Sequence, residues 1–181
     1  FSLAGHSDWR VPTIKELYSL FDGAGTDPSA EMGDDASGLI PFIDDDTFEM
    51  RWGDTASGDR IIDSQWVTSS VYGSTVMNGD QCFFGVNFAD GRIKCYPTSD
   101  HKDYFAIYVR GNTAYGANSF SDNGDQTVTD AATGLMWQKG DDGSGMNWED
   151  ALAHCQALGL AGHSDWRLPN VKELQSLVDY D

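Results

Sequence analysis

Basic residues are scarce in this chain. Eleven Lys and Arg stand against 29 Asp and Glu among 181 residues, a net charge of −18. Nucleic acids and anionic membrane surfaces both need cationic patches, so the charge weighs against both as partners. Long apolar runs are also missing, and nothing approaches the roughly 20 residues that span a bilayer. Membrane insertion is therefore not expected. The chain has only three cysteines, Cys82, Cys95 and Cys155. None form a CxxC pair, a haem attachment or a zinc pattern. An odd count leaves at least one thiol free or paired with another chain, and the disulfide candidates are drawn from these three. No secretory leader is visible, and Phe1 reads as a mature or trimmed start. The chain does not read as disordered: 40% hydrophobic and 12% aromatic residues can bury a sizeable core. Abundant Gly, Asn, Asp, Ser and Trp with few Lys gives an extracellular composition.

What the chain does have is a duplicated stretch. Leu3-Ala4-Gly5-His6-Ser7-Asp8-Trp9-Arg10-Val11-Pro12 returns as Leu160-Ala161-Gly162-His163-Ser164-Asp165-Trp166-Arg167-Leu168-Pro169. Aligning 1–22 on 158–179 gives 15 identities in 22 positions. The expectation is that residues 1–112 are the C-terminal part of one repeat and residues 113–181 the N-terminal part of the next. The halves would then complement each other in cis or between chains.

Helix signals follow each copy. Thr13 with Glu16, and Asn170 with Glu173, are capping boxes. Ile14, Leu17 and Phe21 make an apolar stripe within a helix over 12–21, and Val171, Leu174 and Val178 make its counterpart. Asp8, Trp9, Arg10 and their copies Asp165, Trp166, Arg167 are read as structural: the tryptophans in the core, Asp and Arg paired at the helix start.

Residues 22–63 carry 12 acids and two bases, and are expected to be irregular, anchored by Pro41, Phe42, Ile43, Phe48 and Trp52. Asp44, Asp45 and Asp46 could collect a cation there. Strands are expected at 64–70, 82–88 and 104–110. Asp90-Gly91 as a two-residue hairpin loop would pair Phe88 with Ile93 and Val86 with Cys95. That register puts Cys82 four residues away from Cys95, so a direct bridge would need a bulge or another loop. Residues 112–118 have linker composition. A tight turn at 121–125, strands at 127–130 and 133–138, and an amphipathic helix at 147–158 follow. Trp148, Ala151, Leu152 and Cys155 fall on one face of that helix, which predicts a buried Cys155. Asp122, Asn123, Asp125 and Asp130 form a candidate calcium loop, although the EF-hand spacing fails, with Ser121 first and Ala132 twelfth.

The strings Thr127-Val128-Thr129-Asp130, Thr133-Gly134-Leu135-Met136-Trp137-Gln138, Trp148-Glu149-Asp150-Ala151 and Asp165-Trp166-Arg167-Leu168-Pro169 resemble the C-terminal domain family of the Legionella collagen-like protein. The earlier half resembles the second part of the same family through Asp8-Trp9-Arg10-Val11-Pro12, Trp66-Val67-Thr68-Ser69-Ser70, Phe83–Gly91 and Tyr108–Gly111. The resemblance implies an α+β, C-type-lectin-like fold, with two short helices packed on a loop-rich antiparallel sheet. It implies bacterial surface adhesion, and sulfated-glycan binding in some members. The acidic balance of this chain opposes a polyanionic ligand. Ile107 and Tyr108 stand where the family carries a cysteine near its last strand, which leaves Cys155 without the partner the resemblance implies.

Three classes of function can be set against these features. The first is a non-enzymatic structural or adhesive module, whose partner is itself in a head-to-tail polymer or tandem array. The second is a calcium-assisted lectin that takes a glycan on Trp52, Tyr72, Tyr96 or Tyr115. The third is an enzyme, for which His6, His163, His101 and His154 offer no triad and no paired carboxylates.

Overall fold

The computed structural model describes residues 2–30 and 33–180. Phe1, read above as a start, and Glu31, one of the 12 acids counted above, lie outside them. The chain divides near the predicted linker into unit 1, residues 1–115 with 179–181, and unit 2, residues 116–178.

Unit 1 opens on the first corner and helix α1, Ile14–Tyr18, with the expected Thr13–Glu16 capping box. It is shorter than the periodicity predicts, because the chain turns away after Ser19. Three antiparallel strands follow in the order β1-β2-β3: β1 Gln65–Val71, β2 Cys82–Asn87 and β3 Arg92–Pro97. Ile14, Leu17 and Tyr18 pack on Trp66, Val86 and Phe88, and these buried side chains with Ile43 are the core. Trp66 and Phe88 meet edge to face at 6.0 Å, a favourable aromatic geometry. The strand crossing at Gly85 is close: a Cβ there would stand 2.7 Å from the Trp66 carbonyl oxygen. The residue must therefore be glycine.

The β2–β3 register differs from expectation. Val86 pairs with Ile93 and Phe84 with Cys95. The loop is four residues long rather than two, closed by the Gly91 N–H to the Asn87 carbonyl at 2.8 Å and by the Ala89 N–H to Asn87 Oδ1 at 2.8 Å. The slip of two residues leaves Cys82 and Cys95 as diagonal neighbours on one face. They form a disulfide, with Cα atoms 5.6 Å apart.

Residues 104–110 are not a strand. Phe105 bridges to Trp66 in parallel and Val109 to Arg10 in antiparallel fashion. The partner changes between the two contacts, so no ladder forms. Among its described residues the acidic excursion is irregular as expected, apart from a 3-10 turn at Thr55–Ser57. Pro41 and Ile43 are buried within it, and the Phe42 N–H reaches the Phe88 carbonyl at 2.7 Å. The ring of Tyr180 packs on Phe84 at 4.8 Å.

Unit 2 is a second antiparallel sheet, β4 Phe120–Asp122, β5 Thr127–Asp130 and β6 Leu135–Gln138, in the order β4-β5-β6. The predicted tight turn at 121–125 is partly β4. Helices α2, Trp148–Ala157, and α3, Val171–Ser176, complete it, the latter with the expected Asn170–Glu173 capping box. The fold is thus α+β, with two three-stranded sheets instead of one.

Candidate functional site

The duplicated corner is built the same way twice. Leu3 and His6 exchange both backbone hydrogen bonds, at 3.0 Å each, and Leu160 and His163 do so at 3.1 and 2.9 Å. The two residues between them have positive φ in each copy: Ala4 and Gly5, then Ala161 and Gly162. That is the geometry of a tight two-residue turn in which glycine carries no steric penalty. The Trp9 indole N–H donates to the Leu3 carbonyl at 3.1 Å, and the Trp166 indole N–H to the Leu160 carbonyl at 3.3 Å. The tryptophans brace the turn from outside. They are half-buried and not core, contrary to the sequence expectation.

Asp and Arg of the corner do not pair with each other either. Arg10 and Arg167 form forks on Glu16 and Glu173, reaching Oε2 at 2.6 and 2.7 Å. Their spacing of six residues puts each guanidinium over the first helical turn, where the cap glutamate already points. The Arg167 fork, against opposing burial, holds the Glu173 carboxyl at about 2. Burial raises the Glu16 carboxyl, but Arg10 and the Thr13 N–H together outweigh it and lower it.

The copies part company in what covers them. In unit 1 Asp8 binds Arg110 at 2.9 Å, and Arg10 exchanges two 2.9 Å backbone bonds with Val109. The Ile14 N–H donates to Ser70 Oγ at 3.0 Å, and the Ser69 N–H to the Pro12 carbonyl at 2.8 Å. The corner and α1 are thereby stitched to β1 and to the 104–110 segment. Ile14 and Leu17 are each 1% exposed, whereas Val171 and Leu174, their repeat equivalents, are 50% and 51% exposed. Asp165 forms no ion pair among the described residues.

Unit 2 is uncovered elsewhere as well. Among its described residues only Thr127 and Asp130 are buried. Helix α2 buries nothing: Trp148 is 70% exposed and Cys155 is half-buried, free of any disulfide. The predicted apolar face exists and is only partly covered: Ala151, Leu152 and Cys155 are half-buried and Trp148 is exposed. An open cleft of about 760 Å³ runs between β6, α2, the corner and α3, lined by Trp137, Leu158, Leu174 and Leu177. The buried Trp137 indole N–H has no acceptor among the described residues.

The candidate calcium ligands of the 122–130 turn are engaged in hydrogen bonds within the protein. Asp130 accepts from the Ser119 N–H at 2.8 Å, Asn118 Nδ2 at 2.9 Å, the Ala132 N–H at 3.1 Å and Thr133 Oγ1 at 2.9 Å. Asp125 accepts from the Thr127 hydroxyl at 2.6 Å. The Asn123 amide faces the Thr127 and Thr129 hydroxyls. Asp122 binds Lys139, which lowers its pKa. Asp44 accepts from the Thr47 hydroxyl at 2.8 Å, and Asp44, Asp45 and Asp46 are exposed. Among the described residues no group of three His, Cys, Asp or Glu side chains is placed to hold a metal ion. Sequence reasoning missed the Asp130 hub, although Asp130 followed by Ala131-Ala132-Thr133-Gly134 is a recognisable Asx-turn signal.

No curated protein and no solved structure matches the chain. The sequence pattern of the Lcl C-terminal domain matches residues 1–110 and 126–181. Those two stretches take in the first corner, the core sheet of unit 1, and β5, β6, α2 and the second corner of unit 2; the chain belongs to the Lcl C-terminal domain family.

Proposed function

We propose that this chain is a non-enzymatic extracellular structural or adhesive module that assembles with itself head to tail, the two units complementing across copies. One observation carries the reading: unit 2 has formed strands and capped helices, yet no apolar side chain among its described residues is buried. A unit of this size needs a buried apolar core to offset the entropy of ordering its chain. A head-to-tail contact between unit 2 of one copy and unit 1 of the next is heterologous, and it generates filaments where it does not close into a ring. An extracellular setting is supported by the Cys82–Cys95 disulfide, since such bridges persist in oxidising compartments.

Light scattering across a concentration series, with electron microscopy at the top of it, tests the reading. Growing oligomers or filaments are expected; uniform monomers throughout would refute it. A lectin reading retains the exposed ring of Tyr115, while Tyr72 packs on Phe84 at 5.9 Å and Tyr96 on Phe83 and Tyr104 at 5.8 and 5.2 Å. A glycan array with and without chelator separates the two.

A further inference from the structure

Two helices of this chain share a sequence, a capping box and an Arg–Glu fork, and one of them has a seat. The seat of α1 lies on β1 and β2, where Ile14, Leu17 and Tyr18 meet Trp66, Val86 and Phe88. Several of its anchors are backbone atoms of the corner. Pro12 offers its carbonyl to Ser69, Ile14 its N–H to Ser70 Oγ, and Arg10 its N–H and carbonyl to Val109. Pro169, Val171 and Arg167 carry the same atoms at the same repeat positions. Val171 and Leu174 match Ile14 and Leu17 in shape and lie half in solvent.

We propose that α3 is an exchange helix: its face of Val171 and Leu174, with Val178 just past its end, docks on the β1–β2 sheet of a second copy, in place of that copy's α1. The inference rests on the head-to-tail reading and names its contact. Charge agrees with it. Glu173 arrives already paired with Arg167, as Glu16 is with Arg10, so no carboxylate is buried bare. Asp165 would take the second copy's Arg110, which Asp8 holds in the closed unit.

The two helices differ where it sets the balance. Tyr18 stacks on Phe21 at 5.0 Å and Phe21 on Phe42 at 5.7 Å. The repeat places Gln175 and Val178 there, so α3 loses both ring contacts. The seat's own helix therefore binds it more tightly, and exchange is driven by concentration. Anything that loosens α1 favours it.

The test uses the full chain with Cys155→Ser. One preparation carries Ser70→Cys, the other Val171→Cys, and a short bis-maleimide links them after mixing. A 70–171 link between copies is expected in the mass spectrum. Adding Leu174→Asp to the second preparation should cut its yield about tenfold, and Leu17→Asp in the first should raise it. Circular dichroism checks the fold of each variant; should Leu17→Asp unfold the chain, the Leu174→Asp arm still decides. Oligomers without the link would overturn the helix exchange and leave head-to-tail assembly standing. Neither oligomers nor link would overturn both. A third preparation carries both cysteines on one chain, and a link that forms only there would overturn the second copy as the occupant.

Discussion

Leu17 and Leu174 are the same repeat position in two environments, so one substitution made twice measures what the seat is worth. Leu17→Ala removes a side chain that is 1% exposed and packed in the core. Buried Leu→Ala changes cost about 2–5 kcal/mol, less where neighbours can close the cavity. A cleft of about 370 Å³ beside Leu17, lined also by Leu20 and Phe48, gives those neighbours room to move. The lower half of that range applies, about 3 kcal/mol. Leu174 is 51% exposed. Full burial of a leucine is worth about 1.5–3 kcal/mol, so half of it, with no cavity left behind, is about 1 kcal/mol. The difference of about 2 kcal/mol is about thirtyfold in a local opening constant. Two units make a single global unfolding energy ill-defined. Hydrogen exchange at low protein concentration, read on peptides from 65–88 and from 147–178, resolves each unit. Equal costs at the two positions in dilute solution would refute the reasoning, because α3 would then already be covered. Raising the concentration should increase the cost at Leu174 and lower that at Leu17, because α1 leaves its seat in every exchanged copy.

Asp130→Ala strands the Ser119 and Ala132 N–H groups. It should cost unit 2 about 2–3 kcal/mol, seen as lost exchange protection in β5, while unit 1 is unaffected. Arg167 beside Glu173 and Arg60 beside Asp63 hold both carboxyls at about 2, from ordinary values of 4.5 and 3.8. Their contribution to stability is therefore complete above those ordinary values and is lost as pH falls towards 2, which carboxyl NMR titration should show as two midpoints near 2. Cys95→Ser opens a bridge between residues 13 apart, and should lower unit 1 stability by about 3 kcal/mol in a denaturant titration, whereas Cys155→Ser should leave it unchanged. With the carboxylates of the 122–130 turn accepting from protein donors, melting curves in chelator and in millimolar calcium should overlay; a rise with calcium would make the turn a cation site.

Local rules made much of this chain legible. Both capping boxes, the linker near 115, the strands at 65–71, 82–87 and 127–130, and the α2 limits follow from residues a few positions apart. The repeat was visible because identity needs no structure. Other features needed the folded chain. The hairpin register turned on a four-residue loop that Asn87 closes with its own side chain, and this decided that Cys82 meets Cys95. The arginines chose the cap glutamates over their neighbouring aspartates, because only the glutamates lie over the first helical turn. Most of all, the sequence makes α1 and α3 nearly identical, and the tertiary structure makes one core and the other surface. Periodicity determines that a helix has an apolar face; whether a sheet lies on that face depends on contacts distant in the chain, and here β1 and β2 cover α1 while the α3 face stays half in solvent.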